Sequence, residues 1–154
     1  MPHFATKHFG TIDFQPEATL EFPRGLPGFE QETRFVALEQ PGTKPLVFLQ
    51  SLSRPELCFI TMPVQVVDPG YRLTVSEEDL QCLELAEDRQ PEIGTEVLCL
   101  AVVSVAEQRG PTANLVAPVV VNLRTRRAVQ AIAPGSRYSA QHPVPGTTAE
   151  EPCS

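Results

Sequence analysis

A chain of 154 residues, 42% of them hydrophobic and 20% charged, can bury a core of its own and is too apolar for general disorder. A net charge of −7 argues against direct nucleic-acid binding, which needs clustered Lys and Arg to displace counterions from phosphates. No run of roughly 18 apolar residues occurs, and MPHFATKHFGTIDF lacks the basic-then-apolar pattern of a secretory signal, so a cytoplasmic protein without membrane contact is expected.

In chain order, the turn-bounded apolar runs are ATLEF (18–22), TRFVAL (33–38), LVFLQ (46–50) and LCFITM (57–62). β-Branched, aromatic and leucine side chains between Pro and Gly breaks predict a short strand at each. VQVV (64–67) and YRLTV (71–75) extend the strand series. Then Ser76 precedes Glu77, Glu78 and Asp79. A serine able to cap, with three acids at the positive end of the helix dipole, predicts a helix near 77–85 of about two to three turns. Leu80, Leu83 and Leu85 give its apolar side, and Pro91 stops any extension.

The longest run is TEVLCLAVVSV (95–105), whose near-continuous apolarity predicts a strand buried on both faces. VAPVVVNL (116–123) and AVQAIA (128–133) complete the set. Many short strands without alternating helices predict a mainly β fold: a small closed or nearly closed β-barrel-like domain with one short helix. The domain is expected over residues 1–144 and a flexible tail over 145–154, which are polar and turn-prone.

Charge is unevenly placed. Residues 68–96 hold nine acids against Arg72 and Arg89, a net −7, whereas 108–149 hold five arginines and no acid. Two solvated faces of opposite sign explain this blandly. The sharper alternative is an acidic surface, centred on Glu77, Glu78, Asp79 and Glu84, that steers a basic protein partner.

Nothing in the chain spells out catalysis. A G-x-S-x-G elbow, H-E-x-x-H, P-loop and G-x-G-x-x-G are all absent from the sequence, and His3, His8 and His142 lie near the two ends. The four Cys form no C-x-x-C or Cys/His cluster, so neither a metal nor another cofactor is expected. Cys58 and Cys99 sit in apolar runs and are expected as small core residues with free thiols.

The turn segments are more distinctive. In FPRGLPGFE (22–30), Pro27 and Gly28 suit the central positions of a type II turn, with Gly28 at positive φ. Gly25 is a second flexible point, and Phe22 and Phe29 flank the corner as anchors. In TANLVAPVVVN (112–122), Pro118 denies one ladder hydrogen bond, so a strand is expected to bend or change partners there.

These segments together resemble the FliW family of bacterial flagellar assembly factors. FGTIDF, FPRGLPGFE, FLQSL, TANLVAPVVVN and the closing Gln130, Tyr138 and His142-Pro143-Val144 run in family order from about residue 4 to 144. Phe22, Gly25, Leu26, Pro27, Gly28 and Phe29 match the G-L-P-G-F signature, and Leu49, Gln50 and Ser51 the L-Q-S segment. Thr112, Ala113, Asn114, Leu115, Ala117, Pro118 and Asn122 match T-A-N-L-x-A-P and its continuation. Arg124-Thr125-Arg126-Arg127 resembles the family's basic turn, while Arg72 after Tyr71 departs from the acid usual near its P-x-x-Y element.

The resemblance implies a cytoplasmic, non-enzymatic chaperone-like regulator. Members bind CsrA, a dimeric RNA-binding translational repressor, and relieve its block on flagellin mRNA from a site away from its RNA surface. They also bind flagellin near its C-terminal helix, coupling its synthesis to assembly. On the residues alone, a small-ligand-binding barrel and a non-flagellar interaction module stay open.

Overall fold

Ten strands and two short helices make up the residues described by the computed structural model, 3–106, 109–132 and 137–144. The expected tail at 145–154 lies outside the described residues. β1 (His3–Thr6) and β2 (Gly10–Asp13) form an antiparallel hairpin. β3 (Thr19–Glu21), β4 (Arg34–Leu38), β5 (Val47–Ser51) and β6 (Cys58–Pro63) follow as an antiparallel meander. Two helices, α1 (Val64–Val67) and α2 (Glu77–Cys82), precede the long ribbon of β7 (Val97–Ala106) and β8 (Arg109–Asn122). β9 (Ala128–Gln130) and β10 (His142–Pro143) finish the chain.

The main sheet runs β10-β8-β7-β6-β5-β4-β3, with β9 also paired to β8. Glu21 forms a parallel bridge with Arg127, its N–H donating to the Arg126 carbonyl at 2.9 Å. That single bridge brings β3 to the start of β9, and the sheet becomes a nearly closed barrel.

Two apolar clusters explain the unbroken hydrophobic runs of β7 and β8. Leu100, Val119 and Val121 point into the barrel with Phe22, Phe35 and Leu49. The alternate residues Val97, Cys99, Ala101, Leu115 and Val120 face an outer layer containing Tyr71, Val75, Leu80 and Leu83. Side chains alternate across a strand, so a strand packed on both faces must be apolar at successive positions.

The expected irregularity at Pro118 is a bulge. Leu100 pairs with Val119 but Val102 with Asn114, so residues 115–118 loop out opposite Ala101. Asn114 Oδ1 accepts from the N–H groups of Val116 (3.0 Å) and Ala117 (3.1 Å), while Gln130 Nε2 donates to the Ala117 carbonyl at 2.9 Å. Before the bulge β8 pairs with β10; after it, with β9. Side-chain amides supply the bonds that the ladder loses.

Several expectations need correction. VQVV at 64–67 is the helix α1 rather than a strand, making two short helices where one was expected. Its β-branched residues favour strand locally, but Val64 and Val67, three apart, are both buried and Val66 is 42% exposed, a helical pattern set by packing. Residues 71–75 join no ladder. Gln90 instead binds Val75 on both sides, accepting from its N–H at 2.6 Å and donating to its carbonyl at 3.1 Å. α2 is shorter than expected, since Glu84 at φ +62 turns the chain before a third turn can start. β8 begins at Arg109, well before the expected run at 116. The hairpin β1–β2 lacks a long apolar run and was not anticipated.

Candidate functional site

The corner at 22–30 and the acidic helix α2 meet in space. Phe29 N–H donates to the Leu26 carbonyl at 2.7 Å with Gly28 at φ +86, which is the expected type II geometry. Phe22 is fully buried edge-on to Phe35, and Phe29 packs edge-on to Phe59. Arg24, between these anchors, donates to a carboxylate oxygen of Asp79 in α2. Asp79 beside it raises the guanidinium pKa.

Two further ties hold α2 to the barrel, and the helix also carries its own cap. The Ser76 hydroxyl accepts from Asp79 N–H at 3.1 Å, the expected cap. Asn122, wholly buried at the end of β8, donates from Nδ2 to the Leu83 carbonyl at 2.7 Å. Arg127 Nε donates to the Cys82 carbonyl at 2.8 Å and lies 3.8 Å from the Glu84 carboxylate. Leu80 and Leu83 are buried beneath.

The four acids singled out by charge therefore divide. Glu77 and Glu78 are exposed and face solvent. Asp79 is buried against Arg24, with only 12% of its side chain exposed. Glu84 is exposed beside Arg127. Further along the same segment, Arg89 beside Glu96 holds that carboxyl down to about 2.

Gln50 and Ser51 sit on the other side of the corner, fully buried. Gln50 Nε2 donates to the carbonyls of Ser51 (3.0 Å) and Pro55 (3.2 Å). Ser51 Oγ donates to Glu32 at 2.9 Å and accepts from Arg54 N–H, also at 2.9 Å. Glu32 also accepts from Ser53. Leu49 packs in the barrel core. Ala113 and Leu115 pack in the outer cluster, while Ala117 and Pro118 lie in the bulge, and Thr112 pairs with Ser104 and Pro143. Most motif residues are thus framework.

The motif residues, in place on a nearly closed barrel, agree with the comparisons. A family model for the FliW protein matches residues 3–144. The chain belongs to the FliW family. A flagellar assembly factor FliW of Syntrophomonas wolfei is 34% identical over 92% of this chain and 88% of its own length. One from Syntrophotalea carbinolica is 36% identical over 89% of this chain and 94% of its own. A crystal structure of the flagellar assembly factor FliW superposes with a TM-score of 0.79 at 30% identity, covering 92% of this chain and 96% of that one.

Sequence reasoning overlooked the role of Arg24, Arg127 and Glu32 in this FliW-family chain. Arg24 and Asp79 are 55 positions apart, and no local spacing signals such a pair. The contact between the two tyrosines is likewise not signalled by spacing: Tyr71 stacks on Tyr138 at 4.5 Å and donates to the Leu115 carbonyl at 2.9 Å, and burial raises its pKa.

Of the histidines, His8 lines a cleft together with Cys58, Phe9, Phe48 and Ile60. His8 Nε2 lies 3.3 Å from the Glu56 carbonyl, and no group of three or more His, Cys, Asp or Glu suited to a metal occurs among the described residues. Cys58, Cys82 and Cys99 carry free thiols, but Cys58 is only half-buried rather than a full core residue. Cys153 lies outside the described residues. Burial pushes Cys58 up to about 11 and Cys99 up to about 12. Alkylation at about pH 8 is therefore expected to be far slower at both than at a free cysteine peptide. Mass spectrometry after timed iodoacetamide exposure checks this, and fast labelling of Cys99 would count against the burial.

Proposed function

We propose that this flagellar assembly factor binds the translational repressor CsrA through the face that carries Glu77, Glu78 and Glu84. Binding relieves repression of flagellin mRNA, and a second interaction, with flagellin, couples flagellin synthesis to assembly. The chain acts in the cytoplasm by binding rather than catalysis, needs no cofactor, and contacts neither nucleic acid nor membrane directly. Family membership supports the general role. One observation carries the CsrA assignment: two exposed acids on a helix fixed at both ends, by Arg24 and by Asn122. A rigid acidic face suits a basic patch on that partner away from its RNA surface, because opposite charges held in fixed positions steer the encounter. No helix among the described residues is long and apolar enough to cross a membrane.

Reversing Glu77 and Glu78 to Lys tests this. Asp79 is left unchanged because its loss would free Arg24 and loosen the helix. CsrA affinity is expected to fall by about tenfold at low salt, with most of the loss in the association rate. The difference should shrink as salt rises, since exposed charges are screened beyond about 8 Å at physiological ionic strength. Flagellin binding should change little. Titration calorimetry at two salt concentrations, with circular dichroism to check the fold, measures both. Unchanged CsrA affinity in the folded variant at low salt would leave this surface a solvated face.

A further inference from the structure

The β1–β2 hairpin leaves part of the barrel's outer face uncovered. Leu49 and Phe59 belong to the inner cluster, so alternation puts Phe48, Cys58 and Ile60 on the outside of β5 and β6, with Phe48 directly opposite Ile60. The hairpin rests on this face at its turn. Phe9 packs edge-on to Phe48 at 5.3 Å, Lys7 N–H donates to the Pro55 carbonyl at 2.9 Å, and His8 meets the Glu56 carbonyl. Beside these contacts lies a cleft of about 290 Å³, lined by Phe9, Phe48, Cys58, Ile60, His8 and Gln40. Phe48, Cys58 and Ile60 are only half-buried there.

The lining decides what fits. No Asp, Glu, Lys or Arg contributes to it, and burial keeps the Cys58 thiol protonated, so a neutral molecule enters with the least desolvation cost. Two phenyl rings, an aliphatic side chain and a sulfur are surfaces that suit an aromatic ring. An apolar cavity of about 150 Å³ takes one benzene ring, so this cleft has room for two fused rings. One polar side chain is unused: Gln40 precedes the turn at Pro41–Thr43 without capping it, and no bond among the described residues engages its amide. None of the exposed large hydrophobic residues Val66, Val105 and Ile132 borders the cleft. Its apolar surface is therefore confined within it, which suits a small molecule better than a protein partner.

We propose that this cleft binds a small, neutral, two-ring aromatic molecule that carries an N–H donor, the chemistry of indole. The rings lie against Phe9, Phe48 and Ile60 with one edge at the Cys58 sulfur, and the N–H donates to the Gln40 side-chain oxygen. One polar contact against an otherwise apolar lining fixes the orientation. No lining residue belongs to α2 or to the corner at 22–30, so the site stands apart from the CsrA and flagellin readings.

The chain contains no Trp, so indole fluorescence excited beyond the tyrosine band is read without background. Titration of indole with the full chain is expected to saturate with a Kd of about 0.1–1 mM, a range open to about nine non-hydrogen atoms in a half-open cleft. 1-Methylindole has no donor and is expected to bind about three- to tenfold more weakly, the worth of one hydrogen bond. Gln40→Ala should weaken indole by the same factor and abolish the difference between the two probes. Phe48→Ala should weaken both probes by about tenfold.

A second readout locates the molecule in the unaltered protein. Saturating indole is expected to slow iodoacetamide labelling of Cys58 several-fold and to leave Cys82, in α2 and outside the cleft, unchanged. Circular dichroism checks each variant's fold, and should one not fold, the two probes and the Cys58 protection decide alone. Absence of saturation in the millimolar range, equal affinity of the unaltered chain for both probes, or equal slowing at the two cysteines overturns the proposal. So does indole binding that a folded Gln40→Ala or Phe48→Ala variant leaves unchanged.

Discussion

Gly25→Ala is expected to be among the most destabilising single-methyl additions in this chain, lowering stability by about 2–4 kcal/mol. Two costs coincide at this position. Gly25 has φ +65, where a Cβ is strained. A Cβ built there would also lie 2.5 Å from the backbone Cα and O of Glu30. Backbone cannot rotate away as a side-chain end can, so the corner must open. For a domain of this length that corresponds to a fall in melting temperature of roughly 5–15 °C.

Gly28 provides the contrast. It is also at positive φ (+86), but a Cβ there meets nothing within 4 Å. Gly28→Ala is expected to cost about 1 kcal/mol, the strain alone. Thermal melts of the two variants side by side decide the matter. Equal shifts would mean that close approach to Glu30 adds nothing, and that the corner relaxes freely.

The sequence indicated which of these positions form a turn but not which one is crowded. Pro27-Gly28 is a local signal, because the turn type is set by the two central residues themselves. The clash at Gly25 depends on where the chain returns at Glu30, which no dipeptide encodes. The same division runs through the fold. Ser76 as a cap, the both-face burial of β7 and the irregularity at Pro118 are properties of neighbouring residues, and each was legible.

α1 and the segment 71–75 went the other way. Val-Gln-Val-Val prefers strand on its own, and its helical turn is dictated by the outer cluster that Val64 and Val67 complete. Tyr71 to Val75 reads as a strand from its residue types, but its hydrogen-bond partners are the Gln90 side chain, Leu115 and Tyr138. At the candidate site, charge density located α2 but could not separate Asp79, which is internal, from Glu77 and Glu78, which are free to meet a partner. That distinction depends on Arg24 arriving from a distant corner.

Asn122→Ala is expected to cost about 2–4 kcal/mol, and its effect should concentrate on α2. The side chain is buried and makes three hydrogen bonds. Its Nδ2 donates to Leu83 O, and its Oδ1 accepts from Arg124 N–H at 2.8 Å and Thr125 N–H at 3.3 Å. Truncation leaves the Leu83 carbonyl buried without that donor and two turn N–H groups without that acceptor, and a buried unpaired group costs more than a bond to water returns. Arg127 would still hold Cys82, so α2 should loosen rather than leave the barrel. Hydrogen exchange makes this visible. The N–H groups of Leu80 and Leu83, which donate to Ser76 and Asp79, should lose more protection than those of β4 and β5. CsrA affinity should fall as well, although Glu77 and Glu78 are untouched, because an acidic face that is no longer rigid must be ordered on binding. Uniform loss of protection across the whole barrel, with CsrA affinity intact, would make Asn122 a general packing residue and remove it from the anchoring of α2.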